Sequence, residues 1–131
     1  MNVDEHISYW LDSAEHDLET AESLFTSGKY DWCLFLAHLV LEKALKAVYV
    51  RENDNRLPPK THNLVKLAEE TNLELTEEQK LFFDEVSDFN IEVRYPAYRQ
   101  ELYKVCTREL TEDYFTRIKE LYRWIRSQIR R

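Results

Sequence analysis

The sequence predicts an all-α protein, an up-and-down bundle of four main helices with one additional short helix, and three observations carry that prediction. One Gly and three Pro among 131 residues leave few places for the tight turns of hairpins. Apolar residues recur at spacings of three and four along several long segments, the period of a helix and not of a strand. Capping and stop signals bound those segments. With 44% hydrophobic and 33% charged residues the composition is that of an ordinary globular chain. A single domain over residues 1–131 is expected, burying roughly two-thirds of its unfolded surface.

The first helix is predicted over 4–26, where Ile7, Leu11, Ala14, Leu18, Ala21 and Phe25 form one apolar stripe on an otherwise charged segment. Ser27-Gly28-Lys29 ends it with a residue that tolerates the left-handed conformation. The second, over 30–51, is apolar on nearly every side from Trp32 to Leu41. Such a helix must be covered on several faces, so it is either the centre of the bundle or it meets a second chain. Beyond Leu41 it turns amphipathic, with Ala44, Leu45, Val48 and Tyr49 inward. Leu57-Pro58-Pro59 then forbids continuation.

A short third helix is expected from His62 to Glu70. Thr76-Glu77-Glu78-Gln79 has capping-box spacing and opens a fourth over 77–90, packed through Leu81, Phe82, Val86 and Phe89. Arg94-Tyr95-Pro96 closes it, and 97–109 reads ambiguously, as an irregular loop with a helical turn. A last helix over 112–129 is announced by Thr111 as N-cap, with Tyr114 or Phe115, Ile118, Leu121, Tyr122, Ile125 and Ile129 inward.

Net charge is −7, which argues against broad nucleic-acid binding, but the charge is unevenly spread. Residues 1–28 hold seven acids and no Lys or Arg, whereas 117–131 hold six bases against Glu120 alone. Either the first and last helices lie side by side and complement each other, or the basic strip meets RNA or an acidic partner. Cys33 and Cys106 form no ligand cluster and read as reduced thiols. No leader is visible and the longest apolar run is half the ~20 residues of a spanning helix, so a cytoplasmic location without membrane contact is expected.

His38, Glu42 and Lys46, four residues apart, share one stripe of the second helix. Unsatisfied buried polar groups cost on the order of 1–3 kcal/mol each, so the three form either an internal hydrogen-bonded ladder or a polar cleft for a ligand. No second pair of metal-ligand spacing accompanies them, so no metal is expected. His62, after Lys60-Thr61, either caps the third helix or sits in a cleft as a residue type whose charge changes near neutral pH. His6 and His16 read as exposed bystanders. Arg94 either binds exposed helix carbonyls or offers its fork to a phosphate or carboxylate, beside Tyr95, whose ring can be buried while its hydroxyl stays wet. No Gly-rich phosphate loop exists.

Four motifs in order resemble the HEPN family: Trp10-Leu11-x-x-Ala14-x-x-Asp17-Leu18-x-x-Ala21; Lys29-Tyr30-Asp31-Trp32 running into Ala37-x-x-x-Leu41-Glu42-Lys43-Ala44-Leu45-Lys46-Ala47; Pro59-Lys60-Thr61-His62-Asn63-Leu64; and Arg94-Tyr95-Pro96. The resemblance spans nearly the whole chain. It implies a four-helix bundle that dimerises, with Trp32, Phe35, Leu36 and Leu39 as the interface, and a cleft near the twofold axis. It also implies two competing roles: a metal-independent endoribonuclease toxin, or a non-catalytic partner of a minimal nucleotidyltransferase in a toxin–antitoxin type of pair that binds nucleotide or RNA. The ribonuclease pattern places a histidine after an arginine with four to six residues between them. After Arg94 those positions hold Arg99, Gln100 and Glu101, and after Arg99 they hold Lys104, Val105 and Cys106. Arg56 and His62 match only in spacing. No catalytic residue is therefore assigned and no cofactor is expected. The binding role is the primary expectation, with Arg94, Tyr95, His62, Lys60, Glu42 and Lys46 as ligand-binding candidates. A degenerate ribonuclease and a small-ligand or nucleotide sensor are the alternatives.

Overall fold

The computed structural model describes residues 1–94 and 104–129, with 90–94 described for their backbone alone. Among these residues there is no strand, and the helices are α1 (Val3–Thr26), α2 (Tyr30–Glu52), α3 (Leu64–Glu69), α4 (Glu77–Arg94) and α5 (Arg108–Gln128), with residues 104–105 also helical. The predicted all-helical class is what the structure shows.

Local chemistry sets most of the boundaries. Asn2 caps α1, its Oδ1 accepting from the Glu5 amide at 2.8 Å. Gly28 takes φ +79°, the left-handed conformation expected where α1 gives way to α2. The capping box at α4 forms as predicted: the Gln79 amide donates to Thr76 Oγ1 at 3.1 Å and the Thr76 amide to Gln79 Oε1 at 2.9 Å.

Three boundaries differ from expectation. Helix α3 begins at Leu64 and not at His62, because the Asn63 side chain caps it by accepting from the Lys66 amide. Helix α4 runs four residues beyond the predicted end and stops at Arg94. Helix α5 starts a full turn earlier than predicted. Thr107 is its N-cap, accepting from the Leu110 amide, and Thr111 is fully buried inside the helix. Two threonines one helical turn apart offer the same cap, and packing selects the first.

Helix α2 is the centre. It packs against α1, α3, α4 and α5, and Leu34, Val40, Leu41, Leu45 and Val48 are lost to solvent. Each such side chain contributes roughly 1.5–3 kcal/mol of burial, which explains why α2 has no polar side in its first half. On α4, Leu81, expected in the core, points outward at 66% exposure, while Phe83 is fully buried in its stead. The stripe is thus Phe82, Phe83, Val86 and Phe89.

The charge asymmetry between the ends of the chain is used internally. Glu15 of α1 accepts from Tyr122 Oη at 2.5 Å and from Arg126 at 3.2 Å, and Lys119 reaches Glu22 at 3.2 Å. Among the described residues no helix is long and apolar enough to cross a membrane.

Candidate functional site

Helix α2 delivers His38, Glu42 and Lys46 to one stripe, and all three are buried. The chain then leaves α2 at Glu52, turns through Asp54 and Asn55, both in the left-handed region at φ 53° and 63°, and returns past Pro58 and Pro59. Asp and Asn tolerate that conformation better than other non-glycine residues. A hydrogen bond from the Thr61 amide to the Pro59 carbonyl, 3.0 Å, closes the return. This brings His62 back against the stripe.

His38 Nε2–H donates to the His62 carbonyl at 2.9 Å. His62 Nδ1–H donates to Glu42 Oε1 at 2.7 Å, and Lys46 Nζ donates to Glu42 Oε2 at 3.1 Å. A carbonyl and a carboxylate only accept, so both imidazole tautomers are fixed by their partners. The Lys46 ammonium also lies 5.1 Å from the centroid of the Trp10 ring of α1, a cation–π distance. The predicted ladder of three polar residues therefore exists, but it is completed from outside α2, by a loop histidine and an α1 tryptophan.

Exposure separates the members. The Glu42 side chain is 5% exposed and that of His62 49%. Glu42 anchors one face of the imidazole from the interior, and the remaining ring nitrogen is left to solvent or to a ligand. That arrangement suits binding an anion when the ring is charged, or moving a proton. Glu42 thus positions His62, and Lys46 bonds the other oxygen of the same carboxylate. Lys60 is exposed on the same loop. Arg94 is the last residue of α4, and Tyr95 lies outside the described residues. Arg56 is exposed in the loop after α2.

His6, expected to be an exposed bystander, is buried. Its Nδ1 hydrogen-bonds Asn55 Oδ1 at 2.9 Å, and Asn55 Nδ2 donates to the Met1 carbonyl at 2.9 Å. The loop between α2 and α3 is accordingly fastened at one end by His6 and at the other by His38 and Glu42. Periodicity could not reveal this, since it sees only the segment to which His6 belongs. His16 is exposed, as expected.

The first half of α2 carries the second candidate feature. Trp32, Phe35, Leu36 and Leu39 follow one helical face, Trp32 being 37% exposed and the other three half-buried. The Trp32 and Phe35 rings meet edge to face, centroids 6.0 Å apart. Among the described residues no cluster of three or more His, Cys, Asp or Glu is arranged to hold a metal ion.

Residues 7–128 of the chain match the family model of the HEPN domain. The chain belongs to the HEPN domain family. Its fold is similar to the crystal structure of TT1696 from Thermus thermophilus, with TM-score 0.77 and 19% identity over 98% of this chain and 100% of that one. It is also similar to ST0689, described as an archaeal HEPN homologue, with TM-score 0.72 and 18% identity over 99% of each chain. At such identities the likeness concerns the fold. No curated protein matches the sequence.

Proposed function

We propose that this HEPN chain is a binding module: a homodimer formed through α2 that serves as the non-catalytic partner of a minimal nucleotidyltransferase, in a two-component pair of toxin–antitoxin type. His62, held by Glu42 and Lys46, would form its nucleotide- or RNA-binding face together with Lys60, Arg94 and Tyr95. The reading takes residues 1–131 as one domain acting in the cytoplasm. The observation that carries it is the half-exposed strip Trp32, Phe35, Leu36 and Leu39 on a helix whose other faces are buried. Aromatic and aliphatic side chains clustered on one exposed face are what partner interfaces present. Family membership supports the nucleotide or RNA part of the reading.

Light scattering tests the pairing: the wild type is expected at twice the mass of the chain and Leu39→Glu at the monomer mass with unchanged helicity. A monomeric wild type would remove the reading's main support. Co-purification with the product of the adjacent gene tests the partner, and a neighbour unlike a nucleotidyltransferase would rule out that assignment.

A second reading, an endoribonuclease with a degenerate site, draws on the Glu42–His62 hydrogen bond. A carboxylate that fixes an imidazole tautomer is the orienting half of many acid–base pairs. RNA incubated with the wild type, His62→Ala and Arg94→Ala decides it. Cleavage lost in both variants supports this reading, and equal cleavage by all three points to a contaminant.

A further inference from the structure

A different face of the molecule carries a concave surface that the α2 strip and His62 do not use. Between the start of α4 and the outer face of α5 lies a cleft of about 360 Å³, walled by Phe82, Leu121 and Trp124 and rimmed by Glu78, Arg117 and Glu120. A second cleft of about 420 Å³ shares Trp124 and extends the hollow past Glu74 toward the ends of α2 and α5. Trp124 thus lines both hollows and lies where they adjoin.

The charges along this groove are not balanced by the protein itself. Arg117 lies 4.0 Å from the Phe82 ring centroid and 4.0 Å from Asp113. Arg51 is engaged with the Gln128 carbonyl, and Glu52 accepts from the Asn72 amide at 2.6 Å. Among the described residues no Lys or Arg pairs with Glu74, Glu78 or Glu120. Glu120 stands four residues before Trp124 on the same face of α5, while Glu78 and Glu74 belong to the opposite wall. A cation on the Trp124 ring would therefore have carboxylates on both sides.

The start of α4 does not alter that sign. Its capping box is closed on itself, and Glu77 and Glu78 occupy its first turn. Helix N-termini attract anions through free amides, and here carboxylates are already in place. The groove also shows which cation suits it, because the Arg117 guanidinium already lies over the Phe82 ring within it, 4.0 Å from the centroid. A planar guanidinium stacks on an aromatic face and bonds carboxylates edge-on, which an ammonium cannot do.

We propose that the groove between α4 and α5 is a docking site for an arginine-bearing peptide segment of a partner protein, one guanidinium stacking on Trp124 between Glu120 and Glu78. The site is independent of the α2 strip and of His62, so either can fail without the other.

The test is a titration of the full chain with a capped tri-arginine peptide, followed by backbone NMR. Shifts are expected at 74–79 and 117–128, with affinity reduced at least about tenfold by Trp124→Leu and reduced further on adding Glu120→Gln. Glu19→Gln, on the exposed acidic side of α1, is expected to leave affinity unchanged. A capped tri-lysine peptide is expected to bind more weakly. Melting curves verify that each variant folds, and Trp124→Phe, which keeps a ring, is expected to retain most of the affinity should Trp124→Leu unfold. Shifts confined to α1, equal loss in Glu19→Gln, no difference between the two peptides, or no shift at all would each overturn the proposal.

Discussion

Two lysines of α2 form ion pairs with largely buried carboxylates, and the pairs differ in one respect. Lys43 reaches across to α1, where its ammonium meets Asp17 Oδ2 at 2.6 Å and Ser13 Oγ at 2.7 Å. That pair cross-links two helices, and the other Asp17 oxygen lies 3.8 Å from Nδ1 of the exposed His16 on α1, beyond hydrogen-bonding distance. Lys46 meets Glu42 within α2, and the second oxygen of the same carboxylate holds a half-exposed histidine from a loop. The first pair hydrogen-bonds no exposed ring, and the second does. Burial of charge is weak evidence of stabilisation by itself. What distinguishes a site from a strut is whether the buried group orients something that a ligand can reach.

Removing each carboxylate should expose this difference. Glu42→Ala strands Lys46 in the interior and releases His62, so a loss of about 3–5 kcal/mol is expected in denaturant unfolding. Asp17→Ala leaves Lys43 partly solvated and still bonded to Ser13, so a loss of about 1–3 kcal/mol is expected. Equal losses would show that both pairs act as struts.

His62→Ala sharpens the contrast from the other side. It removes one hydrogen bond from a half-exposed ring, so about 0.5–1.5 kcal/mol is expected. Hydrogen exchange of residues 60–63 should nevertheless rise well above the change seen elsewhere, because the imidazole is one of the loop's two anchors at that end. Unchanged exchange would mean that the His38 bond to the His62 carbonyl suffices.

High pH probes the helix cross-links. Burial, and then its hydrogen bond to Glu15, push the Tyr122 hydroxyl up from 10.0 to about 12. Burial, and then Glu22, push the Cys33 thiol up from 9.0 to about 12. Both groups keep their protons in the folded chain after the unfolded chain has released them. The folded state thus binds more protons, and stability falls as pH rises from about 9 to 12. Melting temperature is expected to be flat below pH 9 with respect to these two groups and to decline above it. Cys33→Ala should remove the earlier part of the decline and Tyr122→Phe the later part.

The smallest expected effect concerns reactivity. A thiol with its pKa so raised is a poor nucleophile. An alkylating reagent at pH 7.5 should leave Cys33 unmodified in the native chain and modify it on unfolding, as read by mass spectrometry.

The sequence was legible where a residue's role depends on near neighbours. The α1 stripe, the Gly28 turn and the Thr76–Gln79 capping box involve contacts within a few positions, and each forms as its spacing requires. The polar stripe of His38, Glu42 and Lys46 was legible for the same reason, since four-residue spacing places side chains on one face whatever surrounds it. Errors came where two local solutions are equivalent. Thr107 and Thr111 both cap well, and only the burial of Thr111 decides between them. Leu81 and Phe83 are both apolar, and only the direction from which α2 and α3 approach α4 tells which is covered.

The sequence by itself determined an all-helical chain and the order of its main helices, because these follow from local periodicity and composition, and its ordered motifs carried the resemblance to HEPN domains; that α2 is the centre of the bundle was decided by packing. Tertiary structure alone decided that His62 binds Glu42 across twenty residues of sequence, that Trp10 covers Lys46, and that His6 is buried against Asn55. Those contacts join segments whose mutual approach is set by how whole helices pack, and no local pattern encodes that geometry. The candidate site consists almost wholly of such contacts, and for that reason it was the part of the molecule least legible before folding.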